Sequence, residues 1–165
     1  MQTLGPASSP QKTFRALRFS IRRLAPRSEA AGLHATVTPT FTTLNSRLSA
    51  QDGAHDARLD ASAELFVLDD DVDTFMAEVV ARALLCVGRD RKHPSFIAAF
   101  PTPPSKAADD VASDAQSRYV RTAIAALRAD PIFASISAEV DTLEVKQDAL
   151  EAGRANRDAL WDAEQ

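Results

Sequence analysis

The chain of 165 residues is 45% apolar and 6% aromatic, and it carries a formal net charge of −4. This length gives one domain, or one domain with a tail, whose core is built mainly from aliphatic side chains and alanine. No apolar run approaches the roughly 20 residues of a membrane-spanning helix, and the single cysteine, Cys86, excludes an internal disulfide. We therefore expect a soluble protein without a membrane span, in a reducing compartment such as the cytoplasm.

Charge is divided unevenly along the chain. Residues 1–28 contain six cations and no acid, whereas residues 29–165 contain 13 cations and 23 acids, a net charge of 13 − 23 = −10. The sequence therefore predicts a basic, partly disordered N-terminal arm with its linker over residues 1–35. An acidic helical domain is predicted over residues 36–165.

Within the arm, apolar residues recur at helical spacing and arginines occupy much of the remaining surface, until Pro26 ends the pattern. Three interpretations are open. The short helix docks on the acidic domain of its own chain, or it binds an acidic partner or a membrane surface, or it is a transit peptide. The candidate binding residues of the second interpretation are Arg15, Arg18, Arg22 and Arg23.

The first long helix, helix A, is predicted to begin at Thr38 and Pro39 after an uncharged linker, because a hydroxyl cap followed by proline is a typical helix start. It runs to about Leu68. Its apolar side is interrupted in the stretch QDGAHDAR, which contains Gly53. Either the helix bends or breaks at Gly53, at a cost of about 1 kcal/mol relative to alanine, or the polar stretch faces a cavity or a partner.

The acidic run from Asp69 to Asp73 resembles a calcium-binding loop, but it lacks the glycine and the terminal glutamate that such loops use. An aspartate that caps a second helix, helix B, explains the run better, since acids are favoured at the positive end of a helix. Helix B is predicted over residues 72–87. Because it is the most apolar helix, we expect it to be the most central one.

The stretch GRDRKHPSFIAAFP, residues 88–101, is predicted to form a structural corner between two helices. Gly88 ends helix B, the cations after it are favoured at the negative helix end, and Pro94 prevents continuation. The open end of the bundle is expected to be covered by three apolar side chains, Phe96, Ile97 and Phe100. The alternative is a site for an anion or a partner, with the candidate residues Arg89, Arg91, Lys92 and His93.

Helix C is predicted to begin near Ser105 or Asp109 and to end at Asp130, because Asp130 and Pro131 both stop one helix and start the next. Its buried face is expected to use some of the residues Val111, Ala115, Tyr119, Val120, Ile124 and Leu127. Helices C and D form either a tight hairpin or one kinked rod, and the hairpin is favoured.

Helix D repeats every seven residues from Phe133 to Trp161, and this heptad-like side becomes polar toward the C-terminus. No stop signal precedes Gln165. Either the chain ends within the helix, or the end of helix D packs against something outside this chain.

Motifs that carry chemistry are missing from the sequence. A di-iron bundle needs Glu-x-x-His on two helices, and the nearest arrangement is a single set, Asp52, His55 and Asp56. There is no metal-binding histidine pair, nucleophile elbow, phosphate-binding loop or dinucleotide-binding loop. We therefore expect no metal, no cofactor and no enzyme activity, and the acidic domain argues against a nucleic-acid partner.

Together these patterns predict an all-α fold, an antiparallel bundle of about four main helices with a heptad-like last helix and a basic N-terminal arm. A non-enzymatic structural or adaptor role is expected, in which the polar ends of helices A and D meet another protein or a second copy of the chain. Two alternatives remain open. One is a bundle that binds a small ligand or a metal through Asp52, His55 and Asp56, and the other is a subunit of an organellar, for example mitochondrial, complex with a targeting segment.

Overall fold

The structure, a computed structural model, describes residues 10–102 and 113–164, and for residues 10, 11 and 164 the backbone only. The described residues form helices and turns and contain no strand, which confirms the all-α fold. Five α-helices follow one another: α1 (Pro10–Leu24), α2 (Ala31–Cys86), α3 (Pro94–Ala99), α4 (Asp114–Ala129) and α5 (Ser137–Glu164). Short 3₁₀ turns precede α2 and α5, over Ser28–Ala30 and Pro131–Ile136.

The chain forms two compact units, one within residues 1–56 and one within residues 57–163. Helix α1 belongs to the first unit and helices α3 to α5 belong to the second, while α2 contributes residues to both. The division lies well after residue 35, where the sequence places the end of the arm and linker.

The first unit is an antiparallel pair of helices. Phe14 of α1 stacks on Phe41 of α2, with ring centroids 4.8 Å apart and ring planes inclined by 17°. Phe14 lies ten residues before Leu24, the end of α1, and Phe41 lies ten residues after Ala31, the start of α2. The chain therefore reverses between the two helices, and the helix that the spacing in the arm predicts is present as α1.

Helix α2 begins earlier than the sequence predicts. Residues 31–37 are helical, so the expected helix start at Thr38 and Pro39 is wrong. The Thr38 hydroxyl does not cap a helix but donates a hydrogen bond to the carbonyl oxygen of His34 at 2.7 Å. Pro39 lacks the N–H group that an interior residue normally donates. The contact between α1 and α2 stabilises this stretch as a helix in spite of that loss.

Helices A and B of the sequence analysis are one helix in the structure, and the expected cap at the acidic run is wrong. The acids lie inside α2, where Asp71 accepts a 2.9 Å ion pair from Lys146 and Asp73 accepts a 3.0 Å hydrogen bond from Gln116. Between these two acids, Val72 is completely buried. Packing against the other helices of the second unit therefore overrides the local preference of aspartate for a helix start.

The second unit is a bundle in which α2, α4 and α5 surround an apolar core. Arg121 of α4 pairs with Glu151 of α5, while Arg128, closer to the turn, pairs with Glu144. This reversed order confirms that helices C and D form a hairpin. The buried core is Leu65, Val72, Met76, Val79, Ala83, Val87, Phe96, Ala99, Phe100, Val120, Ala123, Ile124, Leu127, Phe133, Ile136, Val140, Leu143 and Leu150.

Helix α4 begins at Asp114 in the described part of the chain. The Ser113 hydroxyl caps its first turn by accepting a 3.1 Å hydrogen bond from the backbone N–H three residues further on. Its predicted end is confirmed, since the helix stops at Ala129 and Asp130 follows as the cap of the next turn. Three residues named for helix C lie outside the described residues: Ser105, Asp109 and Val111.

Helix α5 and the turn before it carry the predicted seven-residue pattern on their buried side. Its first six positions are at most 5% exposed, and they are Phe133, Ile136, Val140, Leu143, Gln147 and Leu150. Arg154 and Arg157 are half-buried and Trp161 is 51% exposed, so this side becomes polar toward the C-terminus as expected.

The substitution Gly53→Ala is expected to stabilise α2 locally. Gly53 is an interior helical residue rather than a break, and a methyl group at its position meets no atom within 4 Å. The substitution should therefore raise the local stability of the helix by the full difference in helix propensity between alanine and glycine, about 1 kcal/mol. Amide hydrogen exchange of residues 49–57 should slow by about fivefold.

The matched control is Gly153→Ala in α5. There the added Cβ atom lies 2.8 Å from Cδ1 of Leu68, so the gain in helix propensity is opposed by displacement of that side chain. Equal gains at the two glycines would contradict the close approach of α2 and α5 at Gly153.

Candidate protein-interaction site

Six cations of the second unit form ion pairs with acids of the same unit. The pairs are Arg82–Glu139, Arg121–Glu151, Arg128–Glu144, Lys146–Asp71, Arg154–Asp114 and Arg157–Asp158, with N···O distances of 2.6 to 2.9 Å. Arg121 also lowers the pKa of its partner Glu151, because its guanidinium donates hydrogen bonds to that carboxylate. Each pair is partly exposed and stabilises the fold little. A ligand that binds one of these cations must first compete with its intramolecular partner.

Two glutamine side chains, Gln116 and Gln147, are buried within the same unit. The side-chain oxygens Oε1 of Gln116 and Gln147 are buried without a hydrogen-bond partner, although the amide nitrogens of both residues donate hydrogen bonds. Gln116 donates to Asp73, and burial of this carboxyl raises its pKa above the ordinary value. When Asp73 is neutral, its second oxygen can donate a proton toward Oε1 of Gln116. The two amides therefore serve helix packing, and folding disfavours the charged form of Asp73 relative to the unfolded chain.

The substitution Asp73→Asn is expected to stabilise the protein at pH 7. An acid whose pKa is raised by folding contributes most stability below its unfolded value and loses it as the pH rises through the folded value. Asparagine stays neutral and can donate to Oε1 of Gln116, which is worth about 1 kcal/mol. Urea denaturation at pH 7 and pH 3 measures this gain, which should vanish at pH 3.

The control for this prediction is Asp70→Asn. Asp70 is an exposed neighbour on α2, so its substitution should change the free energy of unfolding by no more than about 0.5 kcal/mol at pH 7. An increase in the free energy of unfolding of Asp73→Asn that is the same at pH 7 and pH 3 would show that the charge of Asp73 is not its cause.

Most of the loop after α2 has a structural role. Gly88 has φ +65° and Arg89 has φ +66°, and the Arg89 N–H closes the helix end by donating to the Leu84 carbonyl at 2.8 Å. The Asp90 carboxylate accepts a hydrogen bond from the Lys92 N–H at 2.8 Å. In the described part of the chain no acidic side chain pairs with the exposed cations Arg89, Arg91 and Lys92. The structure thus brings these three cations onto one loop, and anion binding there stays a prediction.

Unlike those three cations, His93 has a structural role in capping a helix. Its Nδ1 atom accepts a 3.3 Å hydrogen bond from the Ser95 N–H and caps α3. The Ser95 hydroxyl, together with the Ile132 N–H and the nearby His93, holds the pKa of Asp130 below its ordinary value. A catalytic relay would place histidine between serine and aspartate. Here serine bonds directly to Asp130, which is the arrangement of a helix cap.

Helix α3 covers one end of the core, but only two of the three side chains expected to do so are buried. Phe96 and Phe100 are buried, with ring centroids 5.1 Å apart, whereas Ile97 is 49% exposed. The expectation for Ile97 is wrong because a residue next to Phe96 on a helix points about 100° away from it.

The substitution Phe100→Ala is expected to destabilise the protein by about 3–5 kcal/mol, since it removes a buried aromatic ring from the core. The matched change Ile97→Ala in the same short helix, and the loop change Arg91→Ala, should cost no more than about 1 kcal/mol. Urea denaturation monitored by circular dichroism measures all three. A cost for Arg91→Ala equal to that for Phe100→Ala would show that the loop cations hold this corner together.

The end of α5 packs against α2 of the same chain. Trp161 lies under the guanidinium of Arg58, with 4.5 Å between the Arg58 Cζ atom and the ring centroid. A shallow groove of about 540 Å³ lies beside them. Its lining residues are Ser62, Leu65, Phe66, Arg157, Asp158 and Trp161. Trp161, near the end of helix D, therefore contacts Arg58 of the same chain. The sequence analysis had instead considered a contact between this end of the helix and another molecule.

The cations of the first unit differ from those of the second in that most have no acidic partner among the described residues. Arg15, Arg18 and Arg22 recur at spacings of three and four residues on α1, so they lie on one side of the helix, and we call them the arginine stripe. All three are exposed, and in the described residues no acid pairs with them. The fourth predicted residue, Arg23, instead lies over the ring of Phe19, 5.5 Å from its centroid.

Beside the arginine stripe, the apolar side of the first unit is only half-buried. None of the described residues 12–56 is buried. The half-buried apolar residues of the hairpin, which we call the hairpin seam, are Phe14, Leu17, Ile21, Leu24, Val37, Phe41, Leu44 and Leu48. Within the described residues, the hairpin therefore combines half-buried apolar side chains with the unpaired charges of the arginine stripe.

Other kinds of site find no support in the described residues. Within residues 10–102 and 113–164, no three side chains of His, Cys, Asp or Glu converge where a metal ion could bind, and this includes Asp52, His55 and Asp56. In the same ranges no helix combines the length and the apolar character that a bilayer crossing requires. Comparisons with protein-family models, with curated proteins and with solved structures gave no match.

Sequence reasoning found the cations of this site but missed the hairpin. It treated residues 31–37 as a linker, so the arm had no neighbouring helix. The equal ten-residue distances of Phe14 and Phe41 from the helix ends hold only when α2 begins at Ala31. The pairing could therefore be inferred only once the stretch before Pro39 is taken as helical.

Proposed function

We propose that this protein is a non-enzymatic adaptor that joins another protein chain through its first unit. The observation that carries the proposal is the hairpin seam. Eight apolar residues lie along it, and none of the described residues 12–56 is buried. The second unit, in contrast, buries Val72, Val79, Ala83 and Leu143 completely.

Two paired helices cannot enclose a core, because each helix has only one neighbour to cover its apolar side. Stable helical folds surround the core with three or more helices, as α2, α4 and α5 do in the second unit. A further helix from another molecule would complete the hairpin in the same way. Burial of its seam then supplies the hydrophobic contribution to binding.

The proposal changes the surface that the sequence indicated. The polar end of α5 has partners within its own unit, such as Asp114 for Arg154 and Asp158 for Arg157. In the polar stretch of α2 around Gly53, the side chains of Asp52 and Asp56 are exposed to solvent. The interaction surface is therefore assigned to α1 and the beginning of α2.

A charge placed in the seam should abolish partner binding. The seam variant carries Ile21→Asp and Leu44→Asp, which place charges on half-buried apolar positions of α1 and α2. The control variant carries Ser20→Asp and Asn45→Asp, which place the same charges on exposed neighbouring positions. Binding by the seam variant should weaken at least about tenfold, because the carboxylates must be desolvated in the complex.

Affinity capture with the full tagged chain measures this effect, with extract of the native host and an untagged copy of the chain both present. Bound proteins are quantified by mass spectrometry, and circular dichroism checks that both variants stay helical. Equal recovery on wild type, seam variant and control variant would contradict the proposal. So would a wild type that is monomeric by light scattering and recovers nothing.

A second proposal concerns the compartment in which the protein is located and a targeting role of α1. We place the adaptor in the cytoplasm, where the free, half-buried thiol of Cys86 stays reduced. Helix α1 also has the arginine-rich, acid-free and amphipathic character of an organellar targeting segment. The mass of the mature protein from its host decides between them. Loss of the residues of α1 would establish cleavage, and a mass that includes them would exclude it.

A further inference from the structure

We propose that the partner of the hairpin is an acidic amphipathic helix of another protein. Its apolar side packs on the part of the hairpin seam between Leu17 and Leu24 of α1, and its carboxylates pair with the arginine stripe. This inference rests on the proposed adaptor function and specifies the chemistry of its partner. All residues that carry it belong to the first unit.

The arginine stripe borders the hairpin seam. Arg18 lies four residues after Phe14 and three residues before Ile21, and both of these apolar residues belong to the seam. Residues three or four apart are neighbours on one side of a helix, so the Arg18 side chain lies beside them. Arg22 lies one turn beyond Arg18 on the same border. A helix that packs on this part of the seam therefore has guanidinium groups at its edge.

The remaining borders of this part of the seam are uncharged. The exposed Ser20 follows Arg18 by two residues, which is a rotation of about 200° around α1, so it borders the seam on the opposite side. On α2, residues 31–46 contain no aspartate, glutamate, lysine or arginine. A helix docked beside the stripe therefore meets arginines at one edge and uncharged side chains at the other. We expect carboxylates on one edge of the partner helix only.

In the described residues, no carboxylate of the first unit is paired with the arginine stripe. Residues 10–51 contain seven cations and one acid, a net charge of 7 − 1 = +6, and residues 1–9 contain no acid. The one acid, Glu29, lies after the end of α1, in the 3₁₀ turn. The next acid is Asp52, which lies twelve residues, about 18 Å, beyond the level of Arg15 on α2. The charge of the stripe is therefore available to a partner.

A second copy of the hairpin would not complement this surface. If two seams packed on each other, two arginine stripes would share one interface, and residues 10–28 of either copy contain no acid to separate them. Like charges that face each other across an interface weaken association. A helix with carboxylates beside its apolar side avoids this repulsion and covers the same seam.

An anionic membrane surface would also attract the arginine stripe, but it would not cover the seam. A helix that lies in a membrane interface buries its own apolar side among the lipid chains. In this hairpin the apolar side of α1 faces α2, as the stacking of Phe14 on Phe41 shows. An acidic helix uses the charge and the apolar surface together, so it accounts for more of this surface than lipid does.

Arginine is suited to select such a partner. Its guanidinium group forms two parallel hydrogen bonds with one carboxylate. Exposed ion pairs stabilise a complex little individually, so the apolar contact supplies most of the affinity, and the charges set partner choice and orientation. Salt should therefore reduce the preference for an acidic partner without abolishing the apolar contact.

Two designed peptides test the predicted charge of the partner. Both are helices of about 20 residues with leucine along one side. The acidic peptide carries glutamate along one edge of that side, and the basic peptide carries lysine at the same positions. Fluorescence anisotropy measures the binding of each labelled peptide to the full-length chain. In about 50 mM salt the acidic peptide should bind at least about tenfold more tightly, and this preference should shrink in about 500 mM salt.

Charge reversal of the arginine stripe should invert this preference. The stripe variant carries Arg15→Glu, Arg18→Glu and Arg22→Glu, so the lysines of the basic peptide then meet carboxylates and the acidic peptide is repelled. The basic peptide should bind this variant at least about tenfold more tightly than the acidic peptide does. Circular dichroism checks that the variant remains helical.

The matched control reverses three exposed cations of the second unit, with Arg89→Glu, Arg91→Glu and Lys92→Glu. It changes the net charge of the chain by the same amount and should keep the preference for the acidic peptide. An inverted preference in the control would show that net charge alone decides, and it would overturn the inference. Equal binding of the two peptides by the wild type, or binding of neither, would overturn it as well.

The seam variant separates this inference from the proposed function. If the wild type binds both peptides equally and the variant with Ile21→Asp and Leu44→Asp binds neither, only the acidic character of the partner is lost and the seam remains a docking surface. If the wild type binds neither peptide, the capture experiment decides the proposed function by itself. A wild type that binds neither peptide but sediments with phosphatidylserine vesicles, and loses this on charge reversal of the stripe, would assign the stripe to lipid.

Discussion

The packing of one apolar side of α2 against the α4–α5 hairpin is the contact on which the rest of the second unit depends. Val72, Val79 and Ala83 are completely buried in it. This burial keeps α2 helical through the acidic run, which by itself would start a new helix. The acids are accommodated by partners on the hairpin, Lys146 for Asp71 and Gln116 for Asp73. Hydrophobic burial thus decides where the charged residues lie, and not the reverse.

The first unit lacks this enclosure, and its charges behave differently. Cations on α4 and α5, such as Arg121 and Arg128, are matched by acids one helix away. The arginine stripe on α1 has no such neighbour among the described residues, since its only companion helix is the beginning of α2. Incomplete burial and incomplete charge pairing therefore coincide in the described part of the first unit, which consists of two helices. Under the proposed function, a further helix from another molecule would complete both.

The corner after α2 shows how the same residue types serve folding instead. His93 uses Nδ1 to cap α3, and Asp130 caps the 3₁₀ turn before α5. Their proximity to Ser95 resembles the composition of a catalytic triad, but the order of hydrogen bonds is that of two helix caps. Composition alone cannot distinguish these roles, because the distinction lies in which atom accepts which proton.

The sequence by itself determined the helical class, the buried side of α5 from Phe133 to Leu150, the turn at Asp130 and the acid-free basic arm. These features repeat with local periods or act over one turn of helix, so short-range rules suffice for them. Only the tertiary structure decided that α2 is continuous through Asp69 and Asp71, and that α1 pairs with the beginning of α2. Each of these outcomes depends on contacts between residues distant in the sequence, and the free energy of burying apolar side chains there exceeds the preference of a single cap or proline.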